Sequence, residues 1–386
     1  MDFATTPEQD KLVAEVTGFA RAELCDRAAD NDRAARFDRE SWRASAEFGV
    51  LGWPVPTRYG GVGLDPLSCV LALEALGYGC TDNGLLFAIN NHLWACTSYL
   101  LAHGGEDQRA RWLPRLCAGT AVGAHAMTEP EAGSDVLALA TTARREGERY
   151  VLDGVKTFVS NAPVADLFVV FARTGGADTA AQRALSAFLV PRDAPGLTAD
   201  RVWPKAGLRG SPMGELRFDG VTVPVADRLG AEGAGYQIFT RTAEWERGFL
   251  IASQVGTVRR LLETAAAHAG RRRQFGRPIG AFQAVSHPIA DIRVDLELAR
   301  LLLYKFGWLK QQNRLALLES SILKLFVSET VVRAAQIVQR VHGVRGYLDE
   351  FGIEREVRDA LASTTYAGTS DIHRSIIARL SGVDDE

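Results

Sequence analysis

Hydrophobic residues recur at helical spacing at both ends of this chain and at strand spacing between, and no single layer of structure satisfies both periods. In "TPEQDKLVAEVTGFARAEL" (6–24), Thr6 and Pro7 signal a helix start, and Leu12, Val16 and Phe19 follow at helical spacing. "GLLFAINNHLWACTSYLLAHG" and "DQRARWLPRLCAG" continue the pattern, broken by the turn-rich "TRYGGVGLDP". From about residue 123 the segments become short and rich in Val and Phe, punctuated by Gly, Pro, Asn and Asp: "RYVLDGVKTFVSN", "DLFVVFAR", "SAFLVPR" and "GELRFDGVTVP". From about 235 the helical period returns, with Phe239, Trp245, Phe249, Ala252, Leu261 and Ala265 near one stripe of 237–268. The long apolar run "HPIADIRVDLELARLLLYKFGWL" follows, and a further helix is expected from Ala316 towards Val341. The expectation is an α+β chain in three parts. An N-terminal helical bundle spans 1–122, a central β-domain, sheet or barrel-like, 123–235, and a C-terminal four-helix bundle 236–386.

With 386 residues and a formal charge of −3, the chain is long enough for two or three packed units. It has no electrostatic footprint for nucleic acid or an anionic membrane. "MDFATTPEQD" lacks the basic and apolar regions of a signal peptide. The five cysteines (Cys25, Cys69, Cys80, Cys96, Cys117) form no C-x-x-C pair, so neither structural zinc nor a disulfide framework is expected. They read as reduced, mostly buried thiols of a cytoplasmic protein. His92, His103, His287 and His342 lack metal spacing, and no metal site is expected. Gly60, Gly61 and Gly63 follow no strand and read as a turn, not a dinucleotide fingerprint.

Four stretches concentrate chemistry. "AMTEPEAGSD" (126–135) joins the first bundle to the first strand and groups Thr128, Ser134 and Asp135 around Gly133. "GVKTFVSNAP" (154–163) sets the aromatic Phe158 two residues before Ser160, a pairing suited to a flat heterocycle. "RRRQFGRPIGAFQAVSHPIADI" (271–292) carries a basic run, and "YAGTSDIHR" (366–374) crowds polar groups around Gly368. In this order and spacing the four stretches resemble the signatures of the acyl-CoA dehydrogenase family.

The resemblance implies non-covalent FAD between the β-domain and the C-terminal bundle. It assigns Met127, Thr128, Phe158 and Ser160 to the flavin ring and Ser134 to the substrate's carrier arm. Arg272, Gln274 and Phe275 are assigned to the FAD of an adjacent subunit, and Arg340 and Gly343 to further FAD contacts. Thr369 and Asp371 are assigned to the adenosine side. Arg340 stands where fatty-acyl relatives have glutamine, and Val344 replaces a glycine of their Gly-Gly-x-Gly turn. A flavin shared between subunits implies a homodimer at least, and a tetramer by family analogy.

Dehydrogenation of a thioester needs a positioned base for the α-proton. In many relatives this is a glutamate in the last signature, in the slot held here by Ala367, and alanine takes no proton. A second location known in the family precedes an arginine on the first C-terminal helix, where this chain has "AEWERG" with Glu246 before Arg247. The apolar neighbours of Glu246 favour a raised pKa, and Glu244 lies on a different helix face. Glu246 is therefore the expected base, with Arg247, Ala367 and Gly368 on the substrate side.

"GCTDNGLLFAINNH", "EWERG" and "FGIEREVRD" are similar to the family's branch that oxidises carrier-protein thioesters in natural-product assembly. The best single substrate expectation is an L-prolyl group taken to pyrrolyl, with O2 or an electron-transfer flavoprotein as acceptor. A short- or branched-chain acyl-CoA dehydrogenase, a base-less flavin monooxygenase and a non-redox scaffold are the alternatives.

Overall fold

Thr6 opens the first helix with a capping box: its hydroxyl accepts from Gln9 N at 3.3 Å and the Gln9 carboxamide accepts from Thr6 N at 3.0 Å. The computed structural model describes residues 4–176 and 178–383. The N-terminal part contains α1 (Pro7–Glu23), α2 (Ala28–Ala34), α3 (Arg39–Glu47), α4 (Pro66–Gly79), α5 (Asn83–His92), α6 (Ser98–His103) and α7 (Glu106–Cys117). Asp65 and Asp82 cap α4 and α5 through their carboxylates. A π-helical turn, Leu93–Thr97, joins α5 to α6, and Gly60 and Gly63 lie at turns with positive φ.

The strands are β1 (Gly123–Ala126), β2 (Thr142–Glu146), β3 (Arg149–Ser160), β4 (Leu167–Arg173), β5 (Leu185–Pro191), β6 (Leu197–Thr198), β7 (Met213–Pro224) and β8 (Arg228–Leu229). They form one mixed sheet in the order β6-β7-β3-β2-β4-β5-β8, with β1 parallel to β4 off that path. Of the two forms expected for the central domain, sheet or barrel-like, the open sheet is the one found. Among the described residues the sheet ends at β6 and β8, strands of two residues each, and nothing pairs one end with the other. The C-terminal part is α8 (Gly235–Leu250), α9 (Ala252–Arg271), the hairpin β9 (Arg273–Gln274) and β10 (Arg277–Pro278), α10 (Gln283–Gln311), α11 (Leu317–His342), α12 (Ile353–Leu361) and α13 (Ser370–Leu380). The apolar stripe of 237–268 thus belongs to two helices that meet at Ile251.

Three close approaches lock the helical parts together, and the third sets the rotation of α8. Gly77 on α4 meets Ser253 on α9, and Gly256 meets Glu74; a Cβ at either glycine falls 1.9 Å from the opposing carbonyl oxygen. At Gly248 a Cβ falls 2.2 Å from the Phe306 ring of α10. Phe306 also meets Phe249 at 5.3 Å edge to face, and Phe249 stacks on Trp94 at 4.1 Å. With one face of α8 held this way, the residues beside Gly248 have fixed directions.

Candidate functional site

Glu246 is buried, 8% exposed, and its carboxylate accepts a hydrogen bond from the Tyr99 hydroxyl at 3.4 Å. Burial pushes its pKa from 4.5 up to about 7, against the opposing pull of Arg247, the Tyr99 bond and Lys324. Tyr99 is fully buried on α6, where it stacks on His125 at 4.9 Å and meets Phe171 edge to face at 5.8 Å. The guanidinium of Arg247 has its Nε buried without a hydrogen-bond partner, and burial lowers its pKa. Glu244 is committed elsewhere: it pairs with buried Lys310 and accepts from Ala316 N at 2.9 Å. Two residues of offset on one helix thus separate a structural carboxylate from one with an ionisation near neutrality.

The last signature forms a turn ahead of α13. Ala367 and Gly368 both have positive φ, 52° and 96°. For alanine this is the left-handed region, costing on the order of 1 kcal/mol. Their carbonyls are held by buried donors: His373 Nε2 donates to Ala367 O at 3.2 Å and Lys324 Nζ to Gly368 O at 3.3 Å. Lys324 also donates to Ser363 O at 2.6 Å, and its ammonium lies 5.0 Å from the centre of the Tyr366 ring. Thr369 caps α13, its hydroxyl accepting from Ile372 N at 3.2 Å, and Asp371 pairs with Arg374 at 3.0 Å.

The residues expected at the flavin ring come together at the junction of the first bundle and the sheet. Thr157 N donates to Thr128 O at 2.9 Å, bringing the two stretches side by side. Buried Lys156 ties them further, donating to Met127 O at 2.9 Å and pairing with Glu129 at 2.7 Å. Glu129 in turn accepts from Ala140 N and Thr141 N. Phe158 has a φ of 55° and remains 52% exposed, facing Trp203 at 5.3 Å. The Trp203 Nε1 is buried with no hydrogen-bond partner. Ser160 ends β3, and its carbonyl accepts from Asn91 at 3.3 Å. An open aromatic face beside an unpartnered indole N–H and close-packed backbone fits a planar heterocycle. Ser134 is exposed on the connecting loop.

A further set stands apart on the surface. Arg272, Gln274 and Phe275 project on the β9–β10 hairpin, Phe275 being 91% exposed at a φ of 50°. Arg340 and Gly343 are exposed at the end of α11, where Gly343 turns the chain with a φ of 59°.

Three comparisons with known proteins agree. The acyl-CoA dehydrogenase N-terminal, middle and C-terminal domain families match residues 6–120, 124–221 and 233–381. The chain belongs to the acyl-CoA dehydrogenase family. An L-prolyl-[peptidyl-carrier protein] dehydrogenase of Pseudomonas fluorescens is 40% identical over 98% of this chain and 99% of its own. The crystal structure of the prolyl acyl carrier protein oxidase AnaB superposes with a TM-score of 0.96 at 43% identity, over 98% of this chain and all of that one. A structure of PigA with FAD and proline does so with a TM-score of 0.96 at 36% identity, over 99% and 100%. The protein is accordingly a flavin-dependent oxidoreductase acting on a CH–CH bond, with FAD as cofactor. Among the described residues no helix is long and apolar enough to cross a membrane, and no cluster of His, Cys, Asp and Glu suits a metal ion.

Tyr99, Lys324, His373 and Trp203 were not singled out from the sequence. Lys324 left a faint signal, one cation inside the apolar run "SSILKLFVS", which ordinarily marks a side chain reaching to solvent. Here it is 1% exposed. Tyr99 and Trp203 left none, because aromatic residues in apolar segments are usually core.

Proposed function

We propose that this dehydrogenase oxidises an aminoacyl thioester on a carrier protein, best an L-prolyl group, with Glu246 as the base that removes the α-proton. The observation that carries the reading is the burial of Glu246 beside Tyr99 with its pKa at about 7, while position 367 offers only a methyl group. A carboxylate that ionises near neutral pH is matched to removing a weakly acidic α-proton. FAD, when bound, supplies the acceptor for the β-hydride.

The chain's own residues have separable tasks. Phe158 and Trp203 offer an aromatic wall to the flavin ring, and Met127, Thr128 and Ser160 border it. Arg247 sets its positive charge next to the base, favouring the ionised form. The Ala367 methyl leaves open the volume that a glutamate side chain fills in other family members. Ser134 lies exposed on the loop before a 3-10 turn, Val136–Ala138, where a pantetheine arm passes on the family pattern. Thr369 and Asp371 stand at the N-terminus of α13, a site that favours phosphate. The names of the relatives support the substrate: both the Pseudomonas fluorescens enzyme and AnaB act on carrier-bound prolyl groups. A non-redox scaffold calls for a Glu246 that is exposed or turned away from the flavin, and the burial of the carboxylate speaks against the first.

Assembly of at least two copies is part of the proposal. Phe275 on its hairpin and an exposed apolar stripe on α10, Val294, Leu298, Leu301 and Trp308, are surfaces suited to a second copy. The deciding experiment offers the FAD-loaded protein L-prolyl and short acyl groups, each on CoA and on a carrier protein, and follows flavin bleaching and product mass. Bleaching by prolyl-carrier protein with loss of hydrogen pairs supports the reading. Equal or faster turnover of free acyl-CoA replaces it with a short-chain acyl-CoA dehydrogenase.

A further inference from the structure

Among the described residues, Lys324 is the one buried cation that touches the last signature and lies within electrostatic reach of the Glu246–Arg247 pair. It sits on α11 at 1% exposure, and neither of its hydrogen bonds goes to a carboxylate: both acceptors are main-chain carbonyls, Ser363 O and Gly368 O. Ser328, one turn along α11, reinforces the same anchor by donating to Ser363 O at 2.9 Å. A buried ammonium bonded only to neutral groups is costly, so its presence calls for a task that a neutral side chain does not fulfil.

We propose that Lys324 is a positioning residue for the dehydrogenation. Its ammonium pins the Ala367–Gly368 turn against α11 and supplies the positive charge that keeps the buried Glu246 carboxylate ionised and ready to accept a proton. The inference rests on Glu246 being the base.

The charges around this pair come from several elements. Arg247 and Glu244 share α8 with Glu246, and Glu244 is neutralised by Lys310 of α10. Tyr99 approaches from α6, His373 from α13, and Glu329 lies on Lys324's own helix. His373 is held neutral, its pKa pushed down to about 3 by burial and by Lys324 and Arg247, so it clamps the Ala367 carbonyl without adding charge. Burial, helped by Arg247, lowers the Lys324 pKa to about 7, close to that of Glu246. The two groups therefore titrate in one range as a coupled pair. Removing the cation raises the carboxyl pKa, and the fraction of active base at neutral pH drops.

Two substitutions separate charge from anchoring. Lys324→Gln keeps an N–H donor for the carbonyls and removes the charge; Lys324→Arg keeps the charge. In FAD-loaded protein without substrate, the carboxylic-acid infrared band that disappears in Glu246→Gln is titrated. Its midpoint is expected to move up by about one pH unit in Lys324→Gln and to stay near wild type in Lys324→Arg. With prolyl-carrier protein as probe, kcat/KM near pH 7 then falls about fivefold in the Gln variant and recovers at higher pH, with KM little changed. An unmoved infrared midpoint in Lys324→Gln overturns the proposal, as does a uniform loss of rate at every pH. Failure of prolyl-carrier protein to react rejects the substrate and leaves the infrared result intact. Should the Gln variant not fold, nitrogen-15 lysine spectra of the wild type decide. The signal absent from Lys324→Arg is expected to titrate lower in Glu246→Gln than in the wild type, once the neighbouring carboxylate is gone, and a midpoint unmoved by Glu246→Gln overturns the role.

Discussion

Replacing Glu246 by glutamine tests the catalytic assignment and the electrostatics behind it together. The carboxyl titrates at about 7 in the folded protein against an ordinary 4.5. At about 1.4 kcal/mol per pH unit, the fold disfavours the ionised form by roughly 3 kcal/mol. The folded pKa is the higher one, so this group's stabilising contribution is complete below pH 4.5 and is lost as pH rises through 7. Glutamine, isosteric and uncharged, carries no such penalty. Between about pH 5 and pH 8.5 the variant should gain about 2.5 kcal/mol relative to the wild type. With an unfolding entropy of about 2.1 cal/mol/K per residue, that amounts to about 3 °C in Tm for a chain of this length. The same variant should retain yellow, bound FAD and lose substrate-driven bleaching by about 10²–10⁴-fold. Thermal scans of both FAD-loaded proteins at the two pH values, with stopped-flow bleaching, read both effects. A Tm difference independent of pH refutes the electrostatics, and undiminished bleaching refutes the base.

Tyr99→Phe removes the one hydrogen bond to Glu246 that the structure shows; the acidic limb of kcat/KM should rise by about half to one pH unit, read from a pH–rate profile. Phe275→Ala should leave the fold of each subunit intact, by circular dichroism, while weakening FAD retention and assembly, by spectroscopy of the desalted protein and light scattering. Lys156→Met leaves Glu129 buried without its cation and should destabilise the protein by about 3–5 kcal/mol, measured by denaturant unfolding.

The sequence by itself determined the order of helical, strand and helical parts, because hydrophobic period follows directly from which face of an element meets the core. It also determined the family, through four signatures in order, and the vacancy at Ala367, because a missing carboxyl is legible as a letter. Glu246 was legible as a candidate for the same reason. The rest required tertiary structure. An open sheet and a closed barrel share one strand pattern; what separates them is whether the end strands pair, and β6 and β8 are too short and too far along the order to do so. Glu244 and Glu246 have nearly the same local sequence, and only the packing of α8 around Gly248 and Phe306 sends one to Lys310 and the other to Tyr99. Lys324 lies more than seventy residues along the chain from Glu246. Its role arises from burial and long-range charge, quantities that exist only once α8, α11 and the turn before α13 are brought into one low-dielectric interior.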